Sequence, residues 1–436
     1  MESMHPLKWL RKLSRNQRGN ALAIVAAAMP LVVGAAAIGV DTISASLARR
    51  QLQRAADSAA LAGAYALVQH ANHTTAATHD LTLNNDVTLN GSPVIESAPT
   101  AGPFAGSTRA VRVVLTAERV VPFIGFFTGD TMTVTTEATA SWLYVGDYCA
   151  VALETGATTG INITGNATVS LGCGMISNSS GSSAVTATGS ASITASPIAA
   201  VGNVPASANY ASGTELLPYS LPFDDPFEDL PTPVLPACTG SSHNRLGVQP
   251  QETLNLNVGA ESTRAGYSSP GVYCYKGLDV KGVLTLPSNS TIYVDGSSFS
   301  VNSGASLTCS ACTFILTSST AATNASSIAD LSINGGATLN MSAPDTGTYA
   351  GVLFYQDRRA PYGSSHINGN SSTFFRGAFY FPNRELVFNG TAGMSTACVQ
   401  LVGRRLGFSG NAAITNTCPA SSASQGFEHK TVRLVG

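Results

Sequence analysis

From Ala21 to Val40 the chain reads ALAIVAAAMPLVVGAAAIGV, twenty positions without a charged or amide side chain. At 1.5 Å per residue a helix of that length reaches about 30 Å, the hydrocarbon thickness of a bilayer. The pattern predicts a membrane span. Lys8, Arg11, Lys12, Arg15 and Arg18 precede it and Asp41 follows it, a basic bias that places the N-terminus in the cytoplasm and the remaining chain outside. A cleaved signal peptide is the rival reading, with its apolar run from Ala21 to Gly34 and an A-x-A site at Ala35, Ala36 and Ala37. Retention is expected, because the helical pattern continues through that site and a membrane helix tolerates a proline such as Pro30.

From Asp41 to about Gln69 there is no proline and strong helix formers dominate, so the helix is expected to continue outward. Ala48, Leu52, Ala55, Ala59, Gly63 and Ala66 line one side of it. This stripe of small side chains admits close backbone approach, and Ala55, Ala59 and Gly63 are the residues expected to touch a partner. The stretch from Ala71 to Gly106 is polar. Ala110 to Val145 then alternates with period two about a turn near Phe126 to Asp130, which predicts two strands.

Beyond Cys149 a seven-residue unit recurs, with a β-former at each end and a small polar corner between. Its copies begin at Ile163, Ala187, Val301, Ile333, Ile367, Phe388 and Phe408. They stand 24 residues apart in the first pair and 32, 34, 21 and 20 apart among the rest, which reads as turns of a solenoid whose stacking supplies the core. A row of separate hairpins would also place Gly-Asn between strands. Cysteine positions favour stacking: Cys398 and Cys418 each lie ten residues after the start of their unit, as does Cys173. Strands ~4.8 Å apart would bring such matching positions within disulfide reach. The expected pairs are Cys398 with Cys418 and Cys149 with Cys173, leaving Cys238 with Cys274 and Cys309 with Cys312.

Composition supports an exported, β-rich chain. Of 436 residues only 11% are charged, the formal net charge is −2, and all eight cysteines follow the apolar span, as in an oxidising compartment. Near-neutrality without a basic stripe argues against a nucleic-acid partner.

Arg18-Gly19-Asn20, the Ala-rich span ending in Gly39-Val40-Asp41, and RRQLQRAADSAALAGA from Arg49 to Ala64 resemble the N-terminal domain of TadG-like proteins of bacterial Tad (Flp) pilus assembly systems. The resemblance covers roughly the first seventy residues. It implies a pilin-like helix, half in the membrane, with a small sheet packed on its exported half. Ile24 stands where processed pilins usually carry Glu, which points to an uncleaved anchor. GVYCYKGLDVKG at Gly271, YAGVLFYQDRRAP at Tyr349 and GAFYFPNRELVFNG at Gly377 resemble the C-terminal region of some TadG-like proteins and imply a parallel β-helix.

Catalytic chemistry has few candidates. Polysaccharide cleavage needs paired carboxylates at a groove, or a carboxylate base with an Arg or Lys. The densest cluster is Asp357, Arg358, Arg359, Arg376, Arg384 and Glu385, for which exposed loops or salt bridges between repeats are the simpler reading. His70, His73 and His79 lack a completing ligand, and Asp224, Asp225, Glu228 and Asp229 lack the spacing of a calcium loop. Cys309-Ser-Ala-Cys312 stands among β repeats rather than at the helix start that redox chemistry favours. The adhesion motif DxSxS is missing, and no Walker, GxSxG or HExxH motif is present.

The expectation is a cytoplasmic tail at 1–19, an anchor at 20–40, a pilin-like α+β unit at 41–147, solenoid coils at 148–206, a Pro-rich insertion at 207–269 and a right-handed parallel β-helix at 270–436. The function expected is a non-enzymatic component of pilus assembly in the inner membrane, with its main body in the periplasm. It would need no cofactor or metal and would touch other minor pilin-like proteins. A tethered polysaccharide enzyme and an adhesin for cell-surface glycans are the alternatives.

Overall fold

The computed structural model describes residues 20–121, 123, 125, 131–237, 244–256, 267–369, 372–390, 394–417 and 426–435. The expected cytoplasmic tail, the turn from Phe126 to Asp130, Cys238 and Cys418 lie outside them. The chain divides into two compact units, Met1–Leu143 with Lys430–Gly436, and Tyr144–His429. It is a long apolar helix followed by a large, mostly β body of parallel strands.

In the first unit, helix α1 runs Asn20–Val68 without a break at Pro30. Helix α2 (His73–Asn84) starts at Asn72, whose side chain accepts the Thr75 N–H at 3.0 Å and satisfies one of the amides a helix start leaves unpaired. The Ser58 hydroxyl ties α1 to α2 by donating to Asp80 at 3.0 Å. Strands β1 (Val94–Ser97), β2 (Ala110–Val120) and β3 (Thr131–Ala152) pair antiparallel in the order β1-β2-β3. Alternation along β2 buries Val111, Val113, Leu115 and Ala117 on one face, while Arg112 on the other bridges Glu96 of β1 and Glu137 of β3.

In the second unit, parallel strands lie in three rows, and the chain visits the rows in rotation. The repeat units make one row. Val248 pairs with Val280, then in turn Val301, Ile333, Ile367, Phe388, Phe408, Ile163 and Ala187 stand side by side. Parallel neighbours need a long crossover, and the 20 to 34 residues between copies carry the chain through the other two rows. Apolar residues from all three rows form one core. Within it the rings of Phe314, Phe354 and Phe379 follow one another at 5.2 and 5.0 Å.

Each part of the repeat has a local cause. Gly189 has a φ of +74°, and a Cβ there would stand 2.8 Å from the carbonyl oxygen of Gly165 in the neighbouring unit. Only glycine relieves both constraints. The polar position after the β-former bonds between neighbours: Asn334 donates to Asn302 at 3.4 Å, and Asn302 donates to Asp279 at 3.0 Å.

Pairing does not follow chain order. Strand Met394–Gly410 lies against the end of β3 and against Ile161–Ile163, so late repeats adjoin early ones. The Pro-rich stretch carries the chain between the two ends of this arrangement, but it is shorter than the expected 207–269, because Leu246–Val248 and Thr253–Asn255 already pair in the rows with Leu278–Val280 and Val283–Thr285. Part of it is a packed return segment, for Phe223, Phe227 and Leu230 cover an apolar outer face made of Val151, Ile176, Tyr355, Tyr380 and Val402. The Asn178 side chain holds it by accepting the Phe223 N–H at 2.7 Å and donating to the Phe223 carbonyl at 2.8 Å.

Candidate functional site

The exposed apolar surface of α1 comes first. Among the described residues, Ile24–Val68 is the one helix long and apolar enough to cross a membrane. Ile24, Val25, Met29, Leu31, Val32, Val33 and Ile38 are all exposed, so this half of the helix is apolar on all sides and without a protein cover of its own. An uncovered apolar surface of this length fits a membrane anchor.

The outer half of α1 differs. Ala55 and Ala59, expected to touch a partner, are 2% and 0% exposed, and a Cβ on Gly63 would come within 2.8 Å of a Val111 methyl on β2. The expected contact surface is therefore occupied by the chain itself. Small side chains do permit close approach here, and the element that approaches is the chain's own sheet.

The charged cluster proposed from sequence separates into distinct local interactions. Asp357 is fully buried, with its carboxylate taking Arg359 at 2.6 Å and the Thr317 hydroxyl at 2.7 Å. Arg358 turns toward the return segment. It donates to the Leu230 carbonyl at 2.8 Å, to Glu228 at 2.9 Å, to the Phe227 carbonyl and to the Tyr380 hydroxyl at 2.7 Å. Arg376 pairs with Asp345 and Arg384 with Asp330, while Glu385 accepts from Ser364 at 3.4 Å. Asp225 of the acidic run accepts from the Tyr380 hydroxyl at 2.6 Å. The Tyr355 hydroxyl donates to the Pro231 carbonyl at 3.1 Å, and burial pushes its phenol up to about 12.

Glu154, which sequence reasoning passed over, is 5% exposed and binds both Arg404 and Arg405. Burial pushes its carboxyl up, but donors from Arg404, the Gly156 N–H and Arg405 outweigh it and hold it below the usual range. Asp357 behaves alike: burial raises it, and Arg359 with Thr317 prevails and lowers it. Carboxylates lowered in the folded state contribute stability that is complete above the ordinary value of about 4 and is lost as pH falls through the folded value. The urea midpoint is thus expected to hold from neutral pH to about pH 5 and to fall below about pH 4. A D357N/E154Q variant should start lower at neutral pH and lose less on acidification; an unchanged acid slope would refute the assignment.

Cys149 bonds Cys173 and Cys309 bonds Cys312, with Cα separations of 5.8 and 5.9 Å. Cys274 and Cys398 are also disulfide-bonded. Cys309 and Cys312 are both buried, a placement that suits a strand-end staple better than exchange with another thiol. Among the described residues no group of three or more His, Cys, Asp or Glu comes together to hold a metal. A polar groove in the second unit is lined by Asn289, Thr291, Tyr293, Thr313, Thr346 and Tyr349.

Residues 19–66 match the family described as "Putative Flp pilus-assembly TadE/G-like", which supports a pilus-related role. No curated protein and no solved structure matches the chain.

Proposed function

We propose that this chain is a non-enzymatic, inner-membrane-anchored component of Tad/Flp pilus biogenesis, with its N-terminus in the cytoplasm and its body in the periplasm. It acts by contact with other pilus assembly or minor pilin-like proteins. The observation that carries the reading is the coincidence of the family match at residues 19–66 with a helix whose first half is exposed and apolar. The body is read as a parallel β-helix, supported by one row of nine residues paired at repeat intervals. Right-handedness follows from the strong rule for parallel crossovers. The charged residues that would serve a glycosidase are instead engaged in salt bridges and in holding the return segment, which favours a scaffold.

Deleting the gene in its own host is expected to abolish surface pili, and a copy carrying Glu385→Gln is expected to restore them. Pili that persist in the deletion strain would sink the assembly role. A second reading, an adhesin for cell-surface glycans, is favoured by the Tyr293–Tyr349 groove, since aromatic rings beside hydroxyls suit sugar faces and edges. That reading predicts intact pili with adhesion lost.

A further inference from the structure

We propose that the start of the turn between β2 and β3 is a second membrane contact, seating Val120 and Phe123 beside Ile43 and Leu47 in the headgroup layer of the bilayer. The proposal rests on α1 being an anchor. Strand β2 runs back along α1 toward the span: Val111 packs on Gly63 at one end, and at the other the Phe123 N–H donates to Asp41 at 3.1 Å. The lengths are close: the 22 helical steps from Asp41 to Gly63 rise about 33 Å, and the nine extended steps from Val111 to the end of β2 at Val120 rise about 30 Å. Asp41 is the first charged residue after the apolar run, so Phe123 is held at the level where that run ends.

The headgroup layer is about 5 to 8 Å deep on each side; by helical rise Ile43 lies about 3 Å beyond Asp41, inside it, and Leu47 about 9 Å beyond, at its outer edge. Here the apolar side chains face outward. Ile43 is 63% exposed, Leu47 54%, Val120 73% and Phe123 41%. Solvent-facing turns are normally built from Gly, Asn, Asp, Ser and Pro, whereas the sequence from Val120 to Phe127 is VVPFIGFF. Exposed Arg119 stands at the same edge, and an arginine there can bury its stem while its guanidinium meets a lipid phosphate. Ser44, Ala48, Val121 and Met132 line a shallow groove next to it. Continuity with the span and the shared level select a lipid surface over a soluble partner.

The test uses the full chain in phosphatidylethanolamine/phosphatidylglycerol vesicles at high lipid-to-protein ratio, with Phe123→Trp and, as a second probe, Val120→Trp. Emission from the parent, which has Trp9 and Trp142, is subtracted. Lipids brominated near the glycerol end are expected to reduce the added emission of both variants and leave that of a Leu83→Trp control on α2 unchanged. Equal emission with and without bromine would overturn the proposal, as would quenching equal to the control's. Flotation of the parent with the vesicles is scored separately; a parent that fails to float refutes the anchor itself.

Discussion

Arg358→Ala is expected to lower the stability of the second unit by about 2–4 kcal/mol, since it removes several charge-assisted hydrogen bonds from one side chain. Its guanidinium collects the carbonyls of Phe227, Glu228 and Leu230 and also meets Tyr380. Removing it leaves the return segment tied, among other contacts, by Asn178 at Phe223, by Tyr380 at Asp225, by Tyr355 at Pro231 and by Arg359 at Pro233. The outer face under Phe223, Phe227 and Leu230 then loses its best-anchored cover. A lower urea midpoint should appear together with faster proteolysis between residues 218 and 237. Lysine is a poor replacement, because an ammonium cannot span acceptors arranged for a planar fork, so Arg358→Lys should recover only part of the loss. Unchanged proteolysis in Arg358→Ala would mean that the apolar contacts and the remaining hydrogen bonds hold the segment without it.

Phe354→Ala should have the larger effect, about 3–5 kcal/mol, from lost transfer energy and the cavity left behind. The ring is fully buried and meets Phe299, Phe314 and Phe379 at 5.7, 5.2 and 5.0 Å. Three aromatic neighbours from separate strands cannot all move inward to close the gap, so little relaxation is available. Phe354→Leu keeps much of the volume and should lose distinctly less. Urea unfolding followed by far-UV circular dichroism measures both variants, and a loss below about 1 kcal/mol for the alanine form would show that the core tolerates the void.

Much of the architecture was legible because its causes are local. The apolar run from Ala21 to Val40 and the alternation along β2 each reflect a single element's period. The repeat corners are similarly local: glycine at positions such as Gly189 meets a backbone demand that no other residue satisfies. Intervals of 24, 32, 34, 21 and 20 residues between copies are also the pairing registers of the parallel strands. The return segment was less legible, although a signal existed. GVLFYQ at Gly351, GAFYFP at Gly377 and CAVAL at Cys149 are nearly unbroken apolar runs, and a strand that reads so is buried on both faces. The outer face therefore needed a cover. The Pro-rich stretch holding Phe223 and Phe227 supplies it.

Two matters belonged to the tertiary structure. Small residues on α1 establish that something packs closely there, and only the folded chain identifies that neighbour as β2, because a side-chain stripe records the distance of approach and not the identity of what approaches. Repeats likewise establish which residues are equivalent without stating which copies adjoin. Phe408 stands next to Ile163 because backbone amides and carbonyls at an open strand edge need partners, and joining late repeats to early ones satisfies both edges at once. That demand arises from the assembled strands, so no local pattern in the sequence carries it.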